Sequence, residues 1–106
     1  MPAPSTIGQV RDVFPKLGEL TDKVLFGDVW ERKGLSKRDR SLVTVSALAV
    51  LNCPDQLRGH IWRALDNGVT REEIIEAITH LGFYAGWPLA GSAAVAAKQV
   101  FAERKA

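Results

Sequence analysis

Apolar residues recur along the chain at helical spacing, in stretches separated by residues that start or stop helices. From residue 15 to about residue 26 a helix is expected, with Leu17, Leu20, Val24 and Leu25 on its inner face and Pro15 in its first turn. Residues 6–14 carry a weaker helical pattern that stops at Pro15. Gly34, after Trp30-Glu31-Arg32-Lys33, predicts a turn. Ser36 stands before Lys37-Arg38-Asp39-Arg40 and a long apolar run, where its hydroxyl can accept a backbone N–H and cap a helix. The run itself, LVTVSALAVL over residues 42–51, is apolar on almost every side. Its β-branched residues would suit a strand, but the serine cap, the alanines and the length of the segment predict a buried helix. One small core rarely covers so apolar a helix on all sides, so subunit association is expected.

Asn52-Cys53-Pro54 breaks that helix and Pro54 opens the next, with Leu57, Ile61, Ala64 and Leu65 on one face and Gly68 as its stop. Thr70 and Glu73 have the spacing of a capping box, in which a cap hydroxyl and a Glu three residues on satisfy each other's backbone amides. The helix that follows presents Ile74, Ile78, Leu81 and Ala85 and ends near Gly86, where Trp87-Pro88 turns the chain. The last segment, residues 89 to about 103, is alanine-rich; Ala90, Ala93, Ala94 and Ala97 with Gly91 would let another helix approach closely. The pattern predicts an all-α fold of five to six helices in a single domain spanning residues 1–106, without internal repeat or linker.

Composition narrows the function classes. With 46% hydrophobic and 25% charged residues the chain has the make-up of a globular protein, not of a disordered one. The net charge is only +2, and its basic residues are spread out instead of forming a stripe with aromatic stacking partners, so no nucleic-acid partner is expected. Arg38, Arg58, Arg63 and Arg71 read as solvated helix faces. A single cysteine, Cys53, excludes an intramolecular disulfide and a multi-cysteine metal site. The opening Met-Pro-Ala-Pro-Ser-Thr does not read as a secretory signal, and no stretch approaches the ~18 apolar residues of a membrane span. A cytoplasmic protein without a membrane partner is the expectation.

The residues with chemical potential concentrate around the fourth stretch. His60 has Gln56 one helical turn before it and Cys53 seven residues before it, so the three can share one side of a helix if Pro54 does not divert the chain. Imidazole is the side chain best suited to moving a proton near neutral pH; the structural alternative is a histidine at the edge of the core. A cysteine at a helix N-terminus can have a stabilised thiolate, or can simply be a small buried apolar residue. Arg32 and Arg40 are candidates for a carboxylate fork, and Trp30 and Trp62 either line a pocket or pack in the core. His80 reads as a surface residue. By spacing alone no reaction is assigned.

Several segments in order resemble the carboxymuconolactone decarboxylase family, of the alkylhydroperoxidase D-like fold. They are Phe26-Gly27-Asp28-Val29-Trp30-Glu31-Arg32, Gly34-Leu35-Ser36-Lys37-Arg38-Asp39-Arg40-Ser41-Leu42, Gln56-Leu57-Arg58-Gly59-His60, Asn67-Gly68-Val69-Thr70-Arg71-Glu72-Glu73-Ile74 and Tyr84-Ala85-Gly86-Trp87-Pro88. The resemblance implies a helical subunit assembling into homo-trimers or homo-hexamers. It also implies cofactor-free, metal-free loss of carbon dioxide from a small acidic lactone such as 4-carboxymuconolactone, in the breakdown of aromatic acids. His60 matches the family histidine and would donate the proton; Arg40, or Arg32 with Trp30, would position the acid, and Tyr84 would border the pocket. The family has a glutamate where this chain has Gln56, and an amide orients groups but carries no proton as a carboxylate does. Lys33 stands where the family tends to have proline. The related alkylhydroperoxidases have a Cys-x-x-Cys pair at the positions of Cys53 and Gln56, so one half of that pair is present. Two alternatives therefore stand beside the lyase: a thiol-dependent hydroperoxide reductase (peroxiredoxin activity) using Cys53, and a non-catalytic oligomeric binder of small ligands.

Overall fold

A computed structural model describes residues 5–106. Part of the opening stretch read above for a secretory signal, residues 1–4, lies outside the described residues. The described chain is helical, with the elements α1 (Pro15–Leu20), α2 (Lys37–Val50), α3 (Pro54–Asp66), α4 (Arg71–Ala85) and α5 (Trp87–Arg104). A π-helical turn, Thr21–Phe26, continues α1, and a short 3-10 turn, Val29–Glu31, lies between it and α2. No strand occurs among the described residues.

The helix boundaries fall where local chemistry puts them. Ser36 Oγ accepts the Asp39 amide at 3.1 Å and opens α2. Pro54 and Pro88 each sit in a first helical turn, where their missing N–H costs no hydrogen bond. The capping box forms in full: Thr70 Oγ1 accepts the Glu73 amide, and Glu73 Oε1 accepts the Thr70 amide. Past the end of α3, Gly68 takes φ +98°, a left-handed value that a side chain would disfavour, and so reverses the chain toward α4.

Helices α2 to α5 enclose the core. α2 packs on α3, α4 and α5, while α5 also lies against α3 and α4. Val45, Leu57, Ile61, Ile74, Val69 and Val100 are fully buried there. Burying each such side chain contributes about 1.5–3 kcal/mol relative to leaving it exposed. On α5 the close approach is made by Ala93, Ala96 and Ala97, with Ala90 partly covered, whereas Gly91 and Ala94 face outward. The surplus of apolar residues on α2 is visible directly: Val45 and Ala49 point into the core, but Val43 and Val50 are 61% and 42% exposed.

Two local expectations are corrected. Residues 6–13 form successive turns and not a helix. The apolar face of α1 and the π-helical turn does not reach the core: Leu17, Leu20, Val24 and Leu25 are all exposed, and Gly18 is the one buried residue of α1. This N-terminal arm packs mostly on itself, with Arg11 paired to Asp22 at 2.8 Å, and it meets α2 through the 3-10 turn and α3 through the rings of Phe26 and Trp30. Periodicity identified the face correctly as apolar; what covers that face lies outside a single chain's local pattern.

Candidate functional site

The site is built where the arm touches the bundle. Trp30, in the 3-10 turn, is 7% exposed and is the one large side chain preceding Ser36 that is buried, among the described residues. Its indole stacks on the His60 imidazole, with ring centroids 6.3 Å apart and planes inclined by 23°. Phe26 lies 5.8 Å from Trp30 on the other side of the turn. Arg63, one turn after His60 on α3, places its guanidinium carbon 4.2 Å above the Phe26 ring and 5.7 Å from the Trp30 ring. Phe26, Trp30, Glu31, Lys37, Arg63 and Asn67 line a cleft of about 370 Å³.

Polar contacts fix the walls of this cleft. Asn67, at the end of α3, donates from Nδ2 to the fully buried Ser41 hydroxyl of α2 at 2.9 Å. Lys37 and Glu31 pair across the rim at 3.1 Å. Arg40 donates from Nη2 to the Arg32 carbonyl at 3.1 Å and so ties the start of α2 to the end of the Trp30 turn. Arg40 Nε is enclosed without a partner. Arg38 also departs from the solvated reading: it is half-buried and bridges Asp39 and Glu73, joining α2 to the start of α4. The Thr70 amide bond, reinforced by Arg38, holds the Glu73 carboxyl below its ordinary range.

His60 is half-buried, and its Nδ1 is enclosed with no hydrogen-bond partner among the described residues. Burial pushes the imidazole pKa below its ordinary 6.5, and the positive charge of Arg63 adds to the shift. A lowered folded-state pKa stabilises the fold only while the ring is neutral. That contribution is present above pH 6.5 and lost as pH falls through the lowered value. Thermal melts of His60→Gln and the parent chain between about pH 5 and 8 test this. The parent should lose melting temperature on acidification more steeply than the variant; equal slopes would remove the burial argument.

The other residues singled out from sequence are distributed around this centre. Cys53 caps the start of α3, partly buried, with its thiol donating weakly to the Leu51 carbonyl at 3.7 Å. Gln56 is exposed on the first turn of α3. No hydrogen bond joins Cys53 or Gln56 to His60, and none of these three lines the cleft described above. Arg32 is exposed, and its carbonyl is the part that the fold uses. Tyr84 lies on α4, 79% exposed, and packs on His80 with centroids 4.9 Å apart. Among the described residues no cluster of three or more His, Cys, Asp or Glu is arranged to hold a metal ion. Sequence reasoning missed Arg63 and Phe26. The spacing of three from His60 to Arg63 was the available signal, since it puts both on one face of α3.

Comparison with known proteins places the chain. The carboxymuconolactone decarboxylase family model matches residues 15–99, which takes in the arm from Pro15, the cleft, α2 to α4 and most of α5. The chain belongs to the carboxymuconolactone decarboxylase family. It is 43% identical over 76 residues to a 4-carboxymuconolactone decarboxylase of Acinetobacter baylyi, covering 72% of this chain and 57% of that protein. It is 39% identical over 70 residues to the nitrosuccinic acid decarboxylase npaB of Metarhizium robertsii, covering 66% of this chain and 49% of that protein. An uncharacterized 15.0 kDa protein of Paracoccus denitrificans is 35% identical over 80 residues, covering 74% of this chain and 60% of that protein. The chain thus spans about half to three-fifths of the length of the curated relatives it matches. No described helix is long and apolar enough to cross a membrane.

Proposed function

We propose that this chain catalyses decarboxylation of a small organic acid carrying its own electron acceptor, with His60 returning a proton to the site that loses carbon dioxide. The observation that carries this reading is the half-buried, hydrogen-bond-free imidazole of His60 stacked on Trp30, a wall of the cleft. The names of two relatives point to the same substrate chemistry: a carboxylated lactone in one and a nitro-substituted diacid in the other. In each, the carbon–carbon bond to the carboxylate breaks, carbon dioxide leaves, and the electron pair moves into the lactone carbonyl or the nitro group. The substrate itself supplies the electron sink, so the protein's tasks are to hold the anion, exclude water and deliver a proton. A carboxylated butenolide of the 4-carboxymuconolactone type is the first candidate.

Within this reading Trp30 and Phe26 form the apolar wall against which the conjugated ring lies. Arg40 is a positioning residue that fixes the Trp30–Arg32 turn through the Arg32 carbonyl. The amide of Gln56, one turn before His60, has no proton to transfer, which leaves the imidazole as the proton carrier on this face of α3. The exposed apolar residues of the arm, of α2 and of the α4–α5 corner (Phe83, Tyr84 and Trp87) favour an assembled homo-oligomer, in which Tyr84, Gln56 and Cys53 would meet surfaces that one chain does not provide.

Carbon dioxide release from 4-carboxymuconolactone and from nitrosuccinate, followed by a coupled bicarbonate assay together with loss of ultraviolet absorbance, tests the reading. Release with at least one of the two acids is the expected result. Full-length, folded protein that releases none from either, while Cys53 forms a sulfenic acid with peroxide and turns over with added thiol, would replace the decarboxylase by a hydroperoxide reductase.

A further inference from the structure

One cation in the cleft has no assigned task. Arg63 makes no hydrogen bond and no ion pair with the described residues; its contacts are the rings of Phe26 and Trp30. Most of the other arginines are engaged: Arg11 with Asp22, Arg38 with Asp39 and Glu73, Arg58 with Asp55, Arg71 with Glu72, and Arg104 with Asp66. Arg40 donates from Nη2 to the Arg32 carbonyl, Arg32 itself is exposed, and neither lines the cleft. Lys37 and Glu31, the other charged groups of the lining, neutralise each other. The cleft is therefore left with one uncompensated positive charge, on Arg63.

We propose that Arg63 is the anion receptor of this cleft: its guanidinium binds a carboxylate of the substrate as a two-pronged fork and makes the site select acids over their neutral esters. This rests on the reading of the cleft as the place where the small acid binds. A guanidinium lying over an aromatic face keeps its N–H edge free in the plane of the group, which is the geometry a carboxylate accepts from two parallel donors. Stacking on Phe26 restrains a long side chain in advance, so less conformational freedom is lost when the ligand arrives. Arg63 and His60 share one face of α3, about 4.5 Å apart along the helix axis. A carboxylate held by Arg63 thus leaves the rest of a small acid within reach of the imidazole and against Trp30.

Calorimetric titration with a butenolide bearing one acetate arm, and with its methyl ester, tests the assignment. The parent chain should bind the acid in preference to the ester. Arg63→Gln should weaken binding of the acid by about 10- to 100-fold, as expected for loss of a charged hydrogen-bonded pair, and leave the ester within about twofold. Arg63→Lys, which keeps the charge but not the fork, should fall between the two. In turnover the Arg63→Gln effect should appear in KM more than in kcat. An acid-to-ester preference that survives Arg63→Gln, or no acid binding by the parent chain at millimolar ligand, overturns the proposal. The two readings fail separately. Carbon dioxide release with an unchanged preference in Arg63→Gln would sink the anion receptor alone. Arg63-dependent acid binding without carbon dioxide release from any acid would sink the decarboxylase alone.

Discussion

Replacing His60 by glutamine is expected to lower kcat by about 100- to 10,000-fold, the range for loss of a positioned proton donor, while the affinity for the acid changes little. Glutamine roughly preserves the polar edge of the imidazole but has no proton to give at neutral pH. The pH profile supplies the second half of the test. Burial and the neighbouring Arg63 charge lower the pKa of His60, so the free protein at neutral pH holds the ring mostly neutral. A neutral ring is the wrong form for a proton donor. An arriving carboxylate offsets the Arg63 charge and favours the imidazolium, so the proton is taken up together with the substrate. Consequently kcat/KM, which reports the free protein, should fall as pH rises through a value below 6.5, and kcat should persist to higher pH. Parallel measurement of both constants in the parent chain and in His60→Gln decides this. If kcat/KM were flat across neutral pH, or if the variant kept its kcat, His60 would have no part in the proton transfer.

The division between what the sequence discloses and what it hides follows the range of the interactions involved. Ser36, Pro54, Gly68 and the Thr70–Glu73 pair act on backbone groups within four residues, so their effects could be placed before any tertiary contact was known. The inner faces of α3 and α4 were legible for the same reason: Leu57, Ile61 and Ile74 recur at helical period, and all three are fully buried. The arm is different. Leu17, Leu20, Val24 and Leu25 share a face as predicted, but whether a face is buried depends on what folds back over it, and among the described residues all four stay exposed. The cleft lies further still from local rules. Phe26 and Arg63 are far apart in sequence, and no composition or period indicates that a guanidinium will settle on that ring. The family resemblance singled out His60 and named Arg32 and Arg40 for the carboxylate; the bond from Arg40 Nη2 to the Arg32 carbonyl is a tertiary contact that no local pattern indicates.

Trp30→Ala is expected to abolish turnover and to release the N-terminal arm without unfolding the bundle. The two effects come from the same contacts. Trp30 is buried against His60 and near Arg63 and Phe26, yet it is not part of the continuous core of Val45, Leu57, Ile61, Ile74 and Val100. Truncating a buried tryptophan to alanine commonly removes about 3–5 kcal/mol. Here that loss falls on a segment, Pro15–Glu31, whose remaining large apolar side chains, apart from the half-buried Phe26, are exposed, so little is left to hold it down. Proteins open in cooperative units of unequal stability, and an arm whose one large buried anchor is Trp30, helped by the Phe26–Arg63, Arg32–Arg40 and Glu31–Lys37 contacts, should behave as its own unit. Hydrogen exchange resolved by residue would show faster exchange of the amides from Pro15–Leu20 through the Val29–Glu31 turn, with those of α3 and α5 nearly unchanged. The melting temperature of the bundle should move far less than the truncation would imply for a core tryptophan, while the cleft loses its Trp30 wall and His60 and Arg63 lose their common aromatic neighbour. A variant in which all amides accelerate together, with a single large fall in melting temperature, would mean instead that the arm and the bundle form one cooperative structure.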